Sequence, residues 1–176
     1  MSPSESLARR VRDAALLEGD FVLSSGKRSR FYVDKYLFST EPRLLRDLGD
    51  ALAVMLPEGV NRLAGVALGA VPLVVAVSLA TGLPYVVVRK ETKEYGTGRN
   101  VEGNLEDGDK VALIEDVITT GTQAVEAAGR LEASGVSVLA ILAVLDRRED
   151  DKEPEIGGYP FKTVLEMADL RVDFGD

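Results

Sequence analysis

The segment from Leu63 to Val88 contains no charged residue. A helix that spans a membrane needs about 20 apolar residues, so this segment is long enough to cross one. Glycine and proline interrupt it, however, and divide it into pieces that suit a buried strand, a turn, a helix and a second strand. The interruptions are Gly65, Gly69, Pro72, Gly82 and Pro84. We therefore predict a buried strand–helix–strand unit and not a membrane span.

Short apolar runs and helical stretches alternate from Arg62 onward. After the uncharged segment come the run "KVALIED", a helical pattern from about Thr122 to Ser134, and the run "VSVLAILAVLD". These runs are apolar on both faces, as expected for parallel strands that helices cover on both sides. We therefore predict the α/β class, with a mainly parallel central sheet flanked by helices.

The N-terminal part has shorter elements. A helix capped by Ser4 should end near Gly19. Extended segments should follow over Phe21 to Ser24 and Ser29 to Asp34, separated by a glycine-containing turn. A second helix should open at Thr40–Glu41–Pro42, because proline is favoured in the first turn of a helix.

The size and charge of the chain limit its partners. A length of 176 residues suits one domain with a sizeable core, and we predict a single domain over residues 1–176. Acidic residues outnumber basic ones by 29 to 21, and the net charge of -8 disfavours nucleic acid or a membrane as a partner. Cysteine and histidine are absent, which excludes thiol nucleophiles, histidine-dependent triads and the usual zinc sites. The N-terminal segment lacks the apolar region of a secretory signal, so we expect a cytoplasmic protein.

The segment "KVALIEDVITTGTQ", from Lys110 to Gln123, places two acids directly after an apolar run. It predicts a strand, a tight loop and the start of a helix, and ligands of such sheets bind beyond the carboxyl ends of the strands. Residues 119–122 offer backbone amides, hydroxyl groups and a helix dipole, which together suit a phosphate. Glu115 and Asp116 are costly to bury unless a cation or hydroxyl groups meet them. A sugar phosphate meets both needs; the simpler alternative is a helix capped by Asp116 or Thr119.

The order of an apolar run, two acids and a Thr/Gly loop resembles the phosphoribosyl pyrophosphate (PRPP) signature of the type I phosphoribosyltransferases. The resemblance implies the fold of that family, with a small N-terminal hood to which residues 1–40 contribute. It also implies that the acids and the loop bind PRPP. The residues concerned are Glu115, Asp116, Val117, Ile118, Thr119, Thr120, Gly121, Thr122 and Gln123.

A second charged segment, "RKETKEYGTGRNVEG", runs from Arg89 to Gly103. Its glycines do not fit the dinucleotide-binding fingerprint, and the chain has no P-loop motif. One interpretation is a mobile, solvated loop. The other is a cluster of cations, formed by Arg89, Lys90 and Lys93, that holds a departing polyanion such as pyrophosphate.

This second segment resembles the catalytic loop of the orotate phosphoribosyltransferases, whose pattern is RKxxKxHG. The matching residues are Arg89, Lys90, Lys93 and Gly96, and Tyr95 stands where the family has histidine. The resemblance implies that Arg89, Lys90 and Lys93 are catalytic residues, and that they bind PRPP together with Tyr95. It also implies a homodimer, because the family's loop closes over the active site of the neighbouring subunit.

The segment "FVLSSGKRSRFYVDKY" is similar to the family's FxLxSGxxSxxYxD segment, which forms the hood over the base; an ordinary hairpin is the alternative. The matches are Phe21, Leu23, Ser25, Gly26, Ser29, Tyr32 and Asp34. The resemblance implies that Phe31 and Tyr32 contact orotate. Ser24 stands where many members have lysine, and either Lys27 or Lys35 is a candidate to replace that contact.

The sequence "AVLDRRE" resembles the family's LDR sequence, which assigns Arg147 to the orotate carboxylate, with Thr119 as a further orotate contact. A planar guanidinium can bind a carboxylate through two parallel hydrogen bonds. The segment "ALGAVP" occupies the place of the family's pyrophosphate-binding loop but lacks the lysine often found there, so Ala70 and Val71 offer only backbone amides. The charge-dense segment from Arg148 to Glu155 is predicted to be a solvated loop.

The resemblance implies a reaction that joins orotate to PRPP and releases pyrophosphate, giving orotidine 5'-monophosphate in de novo UMP synthesis. Mg²⁺ is the expected cofactor, held through PRPP, with Glu115 and Asp116 as the candidates for direct contact. One alternative is transfer to another base, a purine or uracil, which Arg147 and the hood disfavour. A second is a PRPP-sensing regulator without catalysis, which the acidic charge and the short N-terminal segment disfavour.

Overall fold

The computed structural model describes residues 3–22, 26, 28–90, 100–148 and 153–170. An N-terminal group of short elements precedes a regular alternation of strands and helices. The elements are α1 (Pro3–Ala15), β1 (Leu16–Val22), β2 (Arg28–Val33), α2 (Lys35–Ser39), α3 (Pro42–Val54), β3 (Arg62–Val66), α4 (Val71–Thr81), β4 (Tyr85–Val88), β5 (Val101–Glu102), β6 (Lys110–Ile118), α5 (Thr122–Glu132), β7 (Ser137–Asp146), β8 (Glu155–Ile156), β9 (Tyr159–Glu166) and α6 (Met167–Leu170).

The uncharged segment folds as the predicted strand, helix and strand, namely β3, α4 and β4. Every residue of β3 is buried. Pro72 lies in the first turn of α4, and Gly82 ends that helix in the left-handed conformation, with φ of 75°. Across the described ranges, no helix combines the length and the apolar character that a membrane span requires.

Seven strands form one sheet in the order β5-β4-β3-β6-β7-β9-β8. The five inner strands run parallel, and the short edge strands β5 and β8 are antiparallel to their neighbours. The prediction of a mainly parallel sheet is therefore confirmed. Because the inner strands are parallel, their carboxyl ends share one edge of the sheet, and the loops that follow β3, β4, β6 and β7 begin there.

Helices cover both faces of the sheet, as the doubly apolar strands predict. On one face, Leu48 of α3 and Leu73 of α4 share a buried cluster with Ile114 of β6. On the other face, Leu131 of α5 shares a second cluster with Leu113 of β6. Neighbouring side chains of a strand point to opposite faces, so β6 contributes to both clusters and fixes the position of the loop that follows it.

The first helix is shorter than predicted. It ends at Ala15, and Gly19 lies inside strand β1 instead of stopping the helix. Leu16 pairs with Val33 of β2 and packs against the main core, so strand pairing and burial together outweigh the helical tendency of this stretch. Strand β2 and the start of α3 agree with prediction, and the Glu41 carboxylate caps α3 by accepting from the Leu44 N–H at 2.6 Å.

Candidate active site

Two buried acids mark the carboxyl end of β6. Glu115 is 6% exposed and Asp116 is 3% exposed. The Asp116 Oδ1 atom accepts from the Val117 backbone N–H at 2.6 Å, and its Oδ2 atom lies 2.8 Å from Nζ of Lys35. Lys35 is the first residue of α2, so an ion pair joins the N-terminal segment to the end of the central sheet.

The two acids have different electrostatic environments. Burial, followed by the charge of Asp116, raises the pKa of the Glu115 carboxyl to about 8, although the Asp116 N–H and the cations Lys35 and Lys90 oppose this. Burial lowers the pKa of Lys35, but its interaction with Asp116 outweighs that effect, and the pKa is raised. At neutral pH the site therefore combines a charged Lys35–Asp116 pair with a Glu115 side chain that favours its protonated form.

The turn between β3 and α4, residues 67–70, lies against the acid pair. A Cβ atom added to Gly69 would lie 1.5 Å from Oδ2 of Asp116 and 3.1 Å from Nζ of Lys35. Only glycine allows the backbone to approach the carboxylate this closely. Ala70 is fully buried at the start of α4. The backbone N–H groups of Ala70 and Val71, which we expected to be offered to a ligand, instead donate to the carbonyls of Val66 and Leu68, both at 3.2 Å.

The loop after β6 presents hydroxyl groups at the start of α5. Thr119 and Thr120 are exposed, and the hydroxyls of Thr120 and Thr122 are 3.0 Å apart. Gly121 adopts φ of 82°, and a Cβ atom there would lie 2.4 Å from Cγ2 of Ile156. The β8–β9 hairpin thus supports the loop from behind, while its hydroxyls and the positive end of α5 remain open to an anion.

The structure rules out the simpler interpretation of this motif as a helix cap. The N-cap residue of α5 is Gly121, which makes no side-chain capping hydrogen bond. Asp116 instead accepts a hydrogen bond from the Val117 N–H and forms an ion pair with Lys35. The cap interpretation placed Glu115 in solvent, but the residue is buried. Two carboxyl groups therefore enter the core for a reason other than helix formation.

Two adjacent arginines follow β7 and have different surroundings. The Arg147 backbone N–H donates to the Ile118 carbonyl at 2.8 Å, which places Arg147 next to the loop after β6. Arg148 is held by the carboxylate of Asp146, with Nη2 3.0 Å from Oδ2, and it stacks over the Phe161 ring at 4.7 Å. Within the described part of the chain, no acidic side chain pairs with the Arg147 guanidinium, which is half-buried. Arg148 is therefore structural, whereas Arg147 is available to an anionic ligand.

Arg148 is an exception to the predicted solvated loop over residues 148–155, of which residues 153–155 are exposed as predicted and residues 149–152 lie outside the described residues. Its guanidinium donates to the backbone carbonyls of Glu153 and Glu155, at 3.2 and 3.5 Å, and its side chain is 14% exposed. The sequence did not predict the burial of Arg148, because a charge-dense segment does not show which of its arginines will pair with a buried acid. Here that acid is Asp146, two residues upstream.

The predicted cationic cluster is only partly described. Arg89 pairs with Glu102 of the edge strand β5, with Nη1 3.3 Å from Oε1, and not with the buried acids. Its backbone carbonyl accepts from Arg130 of α5 at 2.9 Å. Lys90 is exposed and acts on Glu115 through its charge. Lys93 and Tyr95 lie outside the described residues, so their catalytic and PRPP-binding roles stay predictions.

The hood segment forms a two-stranded antiparallel hairpin, β1–β2, followed by α2. The rings of Phe21 and Tyr32 lie 5.5 Å apart on it. Phe31 and Tyr32 are neighbours on β2, so their side chains project from opposite faces of the hairpin. The prediction that both residues contact orotate would therefore need one of the two contacts to come from the backbone or from the edge of the hairpin.

Lys35 is the site residue whose position the sequence did not reveal. It is one of two candidates to replace a lost base contact, and the structure shows its ammonium group paired with Asp116. Lys27, the other candidate, lies outside the described residues, so the replacement stays a prediction. The pairing joins residues far apart in the chain, and no local motif encodes it. The available signals were a glycine in the turn of residues 67–70 and a buried acid that needed a cation.

The acid pair suits Mg²⁺ only indirectly. Carboxylate oxygens are ligands that Mg²⁺ prefers, but Lys35 neutralises Asp116 and burial favours protonated Glu115. Among the residues that the structure describes, no group of three or more acidic, histidine or cysteine side chains could hold a metal ion. Most ligands of a bound Mg²⁺ would therefore have to come from the substrate.

Comparison with known proteins agrees with this geometry. Residues 56–172 match the phosphoribosyl transferase domain family, over a region that begins after the hood. The chain belongs to the phosphoribosyltransferase family, the class whose fold and acid-and-threonine loop the structure contains. Its relatives include orotate phosphoribosyltransferases of Haloquadratum walsbyi, 44% identical over 97% of this chain and 93% of the relative, and of Archaeoglobus fulgidus, 45% identical over 95% and 91%. Within the family, it groups with the orotate phosphoribosyltransferases, which confirms the resemblance drawn from the motifs.

Solved structures give the same grouping. The orotate phosphoribosyltransferase of Mycobacterium tuberculosis in complex with Fe(III) dicitrate superposes with a TM-score of 0.84 and 30% identity, covering 96% of this chain and 99% of that one. The same enzyme in complex with PRPP gives 0.78 and 28%, covering 95% and 98%. Adenine phosphoribosyl transferase of Trypanosoma brucei, at 17% identity and a TM-score of 0.71 over 98% and 85%, shares the fold.

Proposed function

We propose that the protein transfers the phosphoribosyl group of PRPP to orotate, giving orotidine 5'-monophosphate and pyrophosphate for pyrimidine synthesis. The observation that carries the proposal is the pair of buried acids, Glu115 and Asp116, followed directly by an open threonine loop at a helix N-terminus. The loop suits the 5'-phosphate of a ribose, and the acids suit its hydroxyl groups. A single ligand that carries both groups satisfies the whole arrangement.

Arg147 supports orotate as the acceptor base. Its backbone is tied to the end of β6 at Ile118, and no described acid pairs with its guanidinium. A guanidinium without a protein partner favours a ligand that carries a carboxylate. Orotate has one and uracil does not, so a site built on this contact discriminates strongly between the two bases.

The proposed reaction replaces one bond at the anomeric carbon of PRPP. Orotate first loses the proton on ring nitrogen N1 to solvent. N1 then forms a bond to that carbon, and the bond to the pyrophosphate oxygen breaks, with the electron pair leaving on pyrophosphate. Positive charge develops on the ribose during the exchange. Arg89, Lys90 and Lys93 are proposed to stabilise the departing pyrophosphate.

Mg²⁺ is the proposed cofactor, and when bound it supplies charge neutralisation for the diphosphate. Glu115 and Asp116 are the candidate residues that would help to hold such an ion, indirectly, by binding the ribose hydroxyls. Protonated Glu115 can donate a hydrogen bond to a ribose oxygen, while ionised Asp116 can accept one from a ribose hydroxyl. The two acids would thus hold a diol in one orientation.

The function is tested by mixing the purified protein with PRPP, Mg²⁺ and orotate, and following nucleotide and pyrophosphate formation. Uracil, adenine and hypoxanthine in place of orotate test the other bases. Of the four bases, we expect only orotate to give product. We expect Arg147→Ala to raise the KM for orotate far more than it raises the KM for PRPP. Product formed faster with another base would reject the assignment, and PRPP binding without turnover on any base would favour the regulator instead.

We also propose a cytoplasmic homodimer with shared active sites. Helix α4 carries no charged residue, and Leu79 on it is 83% exposed, while Leu68 in the preceding turn is 67% exposed. Apolar surface of this kind favours burial against a second copy of the chain. The catalytic-loop residue Lys93 would then act in the site of the partner.

Complementation tests the shared site. Lys93→Ala and Asp116→Asn should each be inactive as pure dimers, since one removes the loop lysine and the other alters the acid pair. A hybrid dimer of the two variants would have one intact site, so subunit exchange at equal amounts should restore about a quarter of the wild-type rate. Hybrid dimers that form, as native mass spectrometry would show, but stay inactive would place the loop in its own subunit.

A further inference from the structure

Lys35 brings three distant segments of the chain to one point. Its ammonium group lies 2.8 Å from Oδ2 of Asp116 and 3.1 Å from the position that a Cβ atom of Gly69 would take. The side chain of Lys35 is 33% exposed, whereas that of Asp116 is 4% exposed. The ammonium therefore covers a buried carboxylate while its own side chain stays partly open to solvent.

The backbone around Lys35 holds the ammonium in this place. The Asp34 N–H donates to the carbonyl of Ala15 at the end of α1, at 2.9 Å. The Asp34 carboxylate in turn caps α2 by accepting from the Tyr36 N–H at 3.0 Å. The Lys35 ammonium also lies 5.7 Å from the centre of the Tyr36 ring, within the range of a cation–π contact. A lysine at the first position of α2 is thus directed into the site by capping and helix geometry.

The turn of residues 67–70 explains why a cation is needed here. It occupies the place of a pyrophosphate-binding loop, yet its residues carry no charge. The Asp116 carboxylate occupies the space that a side chain at Gly69 would need, with Oδ2 1.5 Å from the Cβ position, and the Lys35 ammonium reaches this point from the hood, 3.1 Å from the same position. The positive charge at this point is therefore supplied by a different segment of the chain.

We propose that Lys35 is a positioning residue of the PRPP site, an inference that rests on the proposed function. It holds the Asp116 carboxylate in the orientation that meets the ribose hydroxyls. Partners that orient a directly binding group typically affect affinity about 10- to 100-fold when removed. Because Lys35 belongs to the hood, this contact also links the base-binding segment to the ribose site.

The test is a mutant cycle on Lys35 and Asp116. Lys35→Met, Lys35→Arg, Asp116→Asn and the double variant Lys35→Met/Asp116→Asn are compared with wild type by calorimetry with PRPP and Mg²⁺, and by kcat and KM for both substrates. We expect Lys35→Met to weaken PRPP binding about 10- to 100-fold, with a smaller effect on kcat, and Lys35→Arg to recover part of the loss. Lys110→Met, at the opposite end of β6, is the matched lysine control and should bind PRPP as wild type does.

The double variant distinguishes two ways in which Lys35 could affect PRPP binding, through Asp116 or by direct contact with PRPP. If Lys35 acts through Asp116, Lys35→Met should cause no further loss of PRPP affinity in the Asp116→Asn background. A further loss as large as that in the wild-type background would overturn the positioning role, and so would wild-type affinity in folded Lys35→Met. Should Lys35→Met fail to fold, the double variant, which buries no unpaired charge, still gives the comparison with Asp116→Asn. Wild-type protein that forms no product from orotate would reject the proposed function itself, which is a separate outcome.

Discussion

Replacement of Glu115 by glutamine should change how the stability of the ligand-free protein depends on pH. The ordinary pKa of a glutamate carboxyl is 4.5, and burial beside Asp116 raises that of Glu115 to about 8. Between these two values the folded protein keeps a proton that the unfolded chain has released. The free energy of unfolding of the wild type therefore falls as the pH rises through this window, and the loss is complete above the folded value.

The size of the effect follows from the gap between the two pKa values. One pH unit corresponds to about 1.4 kcal/mol, so the full gap corresponds to a loss of about 5 kcal/mol by pH 8.5. Glutamine stays neutral and keeps an oxygen that can accept from the Asp116 N–H. Glu115→Gln should therefore match the wild type near pH 5 and exceed its stability by several kcal/mol at pH 8.5.

Urea unfolding at a series of pH values from 5 to 8.5, without PRPP or Mg²⁺, measures this directly. The other titrating groups are common to both proteins, so the difference between their curves isolates Glu115. Glu58→Gln, at an exposed position, is the matched control and should run parallel to wild type. Parallel curves for wild type and Glu115→Gln would show that Glu115 ionises normally, and the account of a protonated acid in the site would fail.

Two further predictions concern the scaffold around the site. Gly121→Ala should lower the free energy of unfolding by about 2–5 kcal/mol, because alanine is strained at φ of 82° and its Cβ would collide with Ile156. The control is Gly129→Ala, within helix α5, where a Cβ has open space. This control should be neutral or stabilising in thermal unfolding. The Arg62 Nε atom lies 2.8 Å from the buried Asp109 carboxylate. Arg62→Met leaves that carboxylate without its ion partner and should lower the free energy of unfolding by about 3–5 kcal/mol. Equal urea midpoints for variant and wild type would contradict this.

The sequence predicted the central sheet because its information there is local. An uncharged segment broken by glycine and proline admits few folds, and β3, α4 and β4 follow its breaks. The acid-and-threonine loop was equally easy to recognise in the sequence, since Glu115, Asp116 and Gly121 are close neighbours in the chain. Their predicted roles depend on that order. One short motif was therefore enough to predict a candidate site and to propose a ligand class for it.

Contacts between distant segments were not predictable in the same way. The end of α1 depends on the pairing of Leu16 with Val33, which competes with a helical sequence and wins through burial. The Lys35–Asp116 pair depends on how the hood packs on the sheet, and nothing near either residue encodes it. Arg147 was assigned by resemblance, but only the structure shows that the next residue, Arg148, has its charge satisfied within the chain.

The two adjacent arginines divide two tasks that a single residue could not perform together. Arg148 anchors the segment after β7 through Asp146 and Phe161, so the path of the main chain does not depend on the side chain at position 147. On the proposed role of Arg147 as the orotate contact, a lineage could exchange residue 147, and with it the preferred acceptor, without first rebuilding the framework beneath it. In such a chain, a change of substrate preference would begin at residue 147, directly beside the fixed Arg148.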